Sequence, residues 1–146
     1  MRKEILFRGK HVDSGKWIYG YYVEQYGSHK IFLPYGVDSC GFDVCHVVPQ
    51  TVGQFTGFYD IEGKPIYEGD IVDVLYDVEY VGVAALRMGK SYVVFSDGMF
   101  QKRKITGNIG ERGCTLFITS DRHTVIGNIH DNPELLEPDR EQTKLF

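Results

Sequence analysis

Residues 52–74 read VGQFTGFYDIEGKPIYEGDIVDV, and the fold is decided in this stretch. Two short apolar runs, 52–59 and 65–74, flank Asp60-Ile61-Glu62-Gly63-Lys64. An Asp that opens a short polar segment and a Gly inside it supply turn chemistry, because Asp accepts nearby backbone N–H groups and Gly tolerates positive φ. The stretch therefore predicts a β-hairpin. Gly69-Asp70 predicts a second sharp turn, just before a strand through Ile71-Val72-Asp73-Val74-Leu75-Tyr76.

Toward the N-terminus, residues 4–8 predict a short first strand and 9–15 (GKHVDSG) a turn. Residues 16–23 (KWIYGYYV) predict the strongest strand of this half. Period-2 spacing puts Trp17, Tyr19, Tyr21 and Val23 on one face and Ile18, Gly20 and Tyr22 on the other. Aromatics on both faces suggest a strand between layers or at a subunit contact, and Gly20 marks a bulge or a close backbone approach. Residues 24–29 read as a loop, 30–33 as a strand, 34–43 as a turn-rich loop and 44–48 as a brief apolar run ended by Pro49.

Toward the C-terminus, residues 78–88 predict a strand, with a short helix over 82–88 as the alternative because Ala84-Ala85-Leu86-Arg87-Met88 favours helix. Gly89-Lys90 reads as a tight turn. Residues 91–95 and 99–105 predict a second hairpin around Asp97-Gly98. Residues 115–119 and 124–130 predict the last strands, with a turn at 120–123. Asn132 is expected to cap one helical turn begun by Pro133 and Glu134 and stopped by Pro138. About ten short strands with turn signals roughly every ten residues suggest a mainly β protein. The expected organisation is an N-terminal β-hairpin region over 1–50, an SH3-like small β-barrel over 51–137 and a polar tail over 138–146.

Composition limits the function. The chain has 146 residues, of which 42% are hydrophobic and 25% charged, ordinary for a protein that buries a core. Ten Tyr and nine Phe suit pleated surfaces and also interfaces. The net charge of −4 weighs against nucleic acid, whose binding rests on basic surface. The three-residue apolar run Ile5-Leu6-Phe7 is too short for a signal peptide, and no run approaches the ~20 apolar residues of a membrane span, so a cytoplasmic location in a bacterial host cell and no membrane contact are expected. Three cysteines, Cys40, Cys45 and Cys114, do not make a disulfide framework. Cys40, Cys45 and His46 bring three possible zinc ligands close together, but the second cluster of a zinc site is missing, with Cys114 or His130 a fourth ligand only by coincidence of folding.

Together EILFRGK, KWIYGYYV, TVGQFTGFYDIEGKPIYEGDIV and VIGNIHDNPELL resemble the YopX family of phage and prophage proteins, from Arg2 to about Glu137. The family pattern covers Gln54, Thr56, Gly57, Asp60, Gly63, Glu68, Gly69, Asp70, Gly127 and Asn128. The resemblance implies a mostly β intracellular protein of phage or prophage origin with a barrel-like C-terminal part. It supplies no reaction and no catalytic residues.

The candidate residues fall into two groups. Gln54, Thr56, Asp60, Glu68, Asp70 and Asn128 form a polar set around the central stretch. Their simplest roles are turn geometry and satisfaction of buried backbone groups, while Glu68 and Asp70, two apart, are the pair that a divalent-ion-dependent hydrolase would use. Arg87, Lys90, Lys102, Arg103 and Lys104 form a basic hairpin that either is a solvated, aggregation-resistant edge or binds nucleic acid beside Phe100 and Tyr92. No nucleophile–base pair, phosphate loop or dinucleotide fingerprint is present. The reading is a non-enzymatic interaction module, self-associating and bound to a host or phage protein, without cofactor or metal. A small nucleic-acid-binding protein is the alternative.

Overall fold

The alternation in KWIYGYYV becomes strand β2 (Trp17–Gln25), in which Ile18 and Gly20 are buried and Tyr22 packs on the core, while Tyr19, Tyr21 and Val23 stay exposed. Within the first unit, and among the described residues, the strand is therefore covered on one side only. A Cβ on Gly20 would fall on the carbonyl oxygen of Phe32, so this glycine marks a close backbone approach. The computed structural model describes residues 5–34, 43–76, 86–105, 115–116 and 121–137. Cys40, Cys114, most of the 34–43 loop, residues 78–85 and the tail lie outside these. The chain divides into two compact units, Met1–Phe58 and Tyr59–Phe146.

In the first unit β1 (Phe7–Lys10), β2, β3 (Ser28–Phe32), β4 (Val44–His46) and β5 (Gly53–Tyr59) are antiparallel in the order β4-β3-β2-β1-β5. Two turns are tighter than expected. Gly9 and Lys10 belong to β1, because they pair with Ile18 and Trp17. Residues 24–29 are not a loop: Gln25 pairs with Ser28, and Tyr26-Gly27, with φ of 51° and 76°, make a two-residue turn whose twist matches the flanking strands. The core joins Ile18, Ile31, Cys45 and Val47, with Tyr22, Leu33 and Val52 against it. Burial of these apolar side chains is the main stabilising term.

In the second unit β6 (Pro65–Tyr67) is followed by β7 (Asp70–Tyr76), β8 (Leu86–Ser96), β9 (Met99–Lys104), β10 (Thr115–Leu116) and β11 (Asp121–Asn128). The antiparallel order is β10-β9-β8-β7-β11. The sheet curls, since Lys102 on β9 and His123 on β11 touch although β8 and β7 lie between their strands. Ile66, Val72, Val74 and Val93 fill the interior, with Val125 against them. The Asp97-Gly98 hairpin forms as expected, with φ of 54° and 76°.

Residues 86–88 are strand, as expected, and the helix alternative fails for them. Three local expectations are corrected. Gly89-Lys90 is no turn: both lie within β8, and Gly89, at φ 88°, sits where the β7–β8 register slips, a bulge that lets the strand bend. Asp121, Arg122 and His123, expected in a turn, pair with Tyr76, Leu75 and Val74. The C-terminal turn is the 3₁₀ segment Pro133–Leu136. Asn132 does not cap it with its side chain, because Oδ1 instead accepts the N–H of Asn128 at 3.2 Å. The protein is mainly β, and among the described residues no helix is long and apolar enough to cross a membrane.

Candidate functional site

The turn after β5 is organised by one buried carboxylate. Asp60 Oδ1 accepts the N–H groups of Glu62 at 2.9 Å and Lys64 at 2.8 Å, and Oδ2 accepts that of Val125 on β11 at 3.1 Å. Burial pushes this carboxyl up, but the hydrogen bonds from Lys64, Val125 and Glu62 and the charge of Lys64 outweigh burial and hold it below the usual carboxylate range. Asp70 is 2% exposed, and its Oδ2 accepts the N–H of Tyr67 at 2.8 Å, closing the turn in which Gly69 takes a φ of 92°. Glu68 lies half-buried inside that turn.

Asn128 is the ladder partner of Asp70. Its Oδ1 accepts the N–H groups of His130 at 3.0 Å and Asp131 at 2.9 Å, and its Nδ2 donates to Asp131 at 3.0 Å. In the first unit, Thr56 is buried with Oγ1 accepting the N–H of Phe58 at 3.2 Å, and Gln54 stands opposite Phe7 in the ladder. Asp60, Asp70 and Asn128 thus serve backbone geometry along β11 and its neighbours. Among the described residues no group of three or more His, Cys, Asp or Glu is placed to hold a metal. Cys45 is buried and the adjacent His46 exposed, as strand alternation requires, so the two side chains diverge.

Within the basic hairpin, Lys102 does not share an exposed surface with Arg103 and Lys104. Lys102 is 5% exposed, with Nζ 2.9 Å from Nε2 of His123, which is also buried. Lys90 Nζ donates to the Glu137 carbonyl at 3.3 Å. Arg103 and Lys104 are exposed. Arg87 lies near the start of β8, opposite Leu75. Alternation along β9 is the reason: Lys102 must face the side opposite Arg103.

Two arrangements were not legible in the residue pattern. The first is the buried Lys102–His123 contact. The second joins Tyr22, whose hydroxyl lies 2.5 Å from His29 Nδ1, to Glu24, whose Oε1 is 4.0 Å from His29 Nε2. Burial, then the charge of Glu24, pushes the Tyr22 phenol up. The only sequence signal for this second arrangement is the Tyr26-Gly27 turn, which brings β2 and β3 side by side.

The open face of β2 and β3 is apolar. Tyr21 and Phe32, ladder partners, are 52% and 43% exposed, with Tyr19 and Val23 exposed beside them. At one end of β2 the Arg8 guanidinium carbon lies 4.5 Å from the centre of the Trp17 ring and Lys10 Nζ lies 5.4 Å from it.

Comparison with solved structures finds protein EF1440 from Enterococcus faecalis, at 22% identity and a TM-score of 0.48 over 93% of this chain and 100% of that one. A search of curated proteins returns no match. A family model described as YopX protein matches residues 6–137, and the chain belongs to the YopX family.

Proposed function

We propose that this chain is a non-enzymatic interaction module of a phage or prophage, working in the bacterial cytoplasm, that self-associates through the open face of β2 and β3. One observation carries the reading: the cross-strand pair Tyr21 and Phe32 is exposed with Tyr19 and Val23 around it. Contiguous exposed aromatic and branched side chains on a sheet face favour burial against a partner, and Tyr and Phe are enriched where such burial occurs. A two-fold pairing of identical faces would bring each Tyr21–Phe32 pair against its copy. The polar set at Asp60, Asp70 and Asn128 supports the non-enzymatic part, because its acceptor atoms are bonded to backbone amides of the fold.

Sedimentation equilibrium tests the reading. The expected result is a species heavier than the 16.7 kDa chain, unchanged by salt and reduced to a monomer by Tyr21→Glu with Phe32→Glu. A monomer at all concentrations would overturn self-association. Nucleic-acid binding is the second reading, supported by the exposed Arg103 and Lys104. It predicts retention on polyanions that falls steeply with salt and is lost in Arg103→Glu with Lys104→Glu.

A further inference from the structure

The second unit carries a cavity of about 440 Å³ lined by Tyr92, Lys104, Ile105, Ile129 and Leu136. Its walls are pinned by the backbone. The Ile105 N–H donates to the Lys90 carbonyl at 2.9 Å, extending the β8–β9 ladder past Lys104, and the Ile129 N–H donates to the Gly69 carbonyl at 2.9 Å. The 3₁₀ turn Pro133–Leu136 supplies Leu136, and Lys90 ties down the end of that turn through the Glu137 carbonyl at 3.3 Å. A cavity of this size fits a small organic molecule, and pinned walls lower the ordering cost of binding.

The lining decides the chemistry. Among the described residues the lining is three aliphatic side chains, a phenol ring and one ammonium, that of Lys104, which has no hydrogen-bond or ion-pair partner among them. Lys90 donates instead to the Glu137 carbonyl. Among the described lining residues only Tyr92 and Lys104 have side chains that can hydrogen-bond, so against these walls a nucleobase would bury polar edges without partners, which is unfavourable. A compact apolar or aromatic body with a single anionic end meets each wall with its like and the ammonium with its opposite. From this geometry we infer that the cavity is a binding site for a small hydrophobic carboxylate, with Lys104 as the anion contact and Tyr92, Ile105, Ile129 and Leu136 as the apolar seat. All the lining residues named belong to the second unit and none to the β2–β3 face, so the inference does not rest on self-association.

Amide NMR of the full chain titrated with naphthoate, and in parallel with its uncharged carboxamide, tests this. Saturable shifts are expected at Tyr92, Lys104, Ile105, Ile129 and Leu136, with a dissociation constant on the order of a millimolar for a ligand of this size. The carboxamide should bind about fivefold more weakly, as a solvent-accessible charge contact allows. Lys104→Gln, at an exposed position that leaves the fold intact, should weaken naphthoate by the same factor and leave the carboxamide unchanged. Equal binding of the two probes, shifts confined to Tyr19, Tyr21 and Phe32, or absence of saturable shifts would overturn the inference. So would displacement of naphthoate by a nucleoside monophosphate at lower concentration.

Discussion

The Asp60 carboxylate accepts the backbone N–H of Val125, 65 residues further along the chain, at 3.1 Å. One side chain therefore shapes its own turn and ties that turn to the last strand. Asp60→Ala is expected to lower stability by about 2–3 kcal/mol, since three backbone donors lose a charged acceptor. Asp60→Asn should cost less, because its single carbonyl still accepts. Urea denaturation of the three proteins measures both.

The same carboxylate makes stability depend on acid. Its folded pKa is depressed, so its contribution is fully present above the ordinary Asp value and is lost as pH falls through the folded value. As pH falls below about 4, wild type should lose stability more steeply than Asp60→Asn. Parallel curves would remove Asp60 from this role.

Tyr22 titrates in the opposite sense. Its pKa is raised, so the folded state holds its proton longer and stability declines as pH rises above about 10. In the ultraviolet phenolate titration one tyrosine should ionise late, and Tyr22→Phe should remove that step and flatten the alkaline loss.

Lys102 and Arg103 are neighbours with opposite environments. Lys102→Ala should cost about 2–3 kcal/mol, because it leaves a cavity beside the buried His123. Lys102→Met, which keeps the aliphatic stem, should recover at least half of that loss. Arg103→Ala and Lys104→Ala should fall within about 0.5 kcal/mol of wild type, as exposed positions do. Thermal unfolding ranks the four.

Gly20→Ala should be among the most damaging small changes. The added methyl meets the Phe32 carbonyl oxygen, a backbone atom that the β2–β3 ladder holds in place. A loss of about 2 kcal/mol or more is expected. A change of Tm within error would show that β2 and β3 can part locally.

Much of the architecture was legible in the residues because it rests on local chemistry. Asp97-Gly98 specifies a two-residue turn, alternation specifies which side of β2 packs, and Asp60 specifies its own turn. Gly20 announces a close approach from within a strand. Each of these depends on neighbours a few residues away, which the order of amino acids states directly. The YopX resemblance was legible for the same reason, since its motifs are these turns and strands.

The remainder was decided by tertiary structure. Pairing partners, not local propensity, converted the expected turns at Gly89-Lys90 and at 121–123 into strand, because a ladder satisfies backbone groups that a turn there would leave open. Whether a lysine in Lys102-Arg103-Lys104 is buried depends on the curl of the sheet that brings β9 to β11, a distance no spacing encodes. The Tyr22–His29 contact and the cavity under Leu136 likewise need strands placed side by side. Residue order states where the chain turns and which side chains alternate; the packing of strands far apart in the chain settles which faces are covered and which stay exposed, because burial depends on contacts that no local spacing encodes.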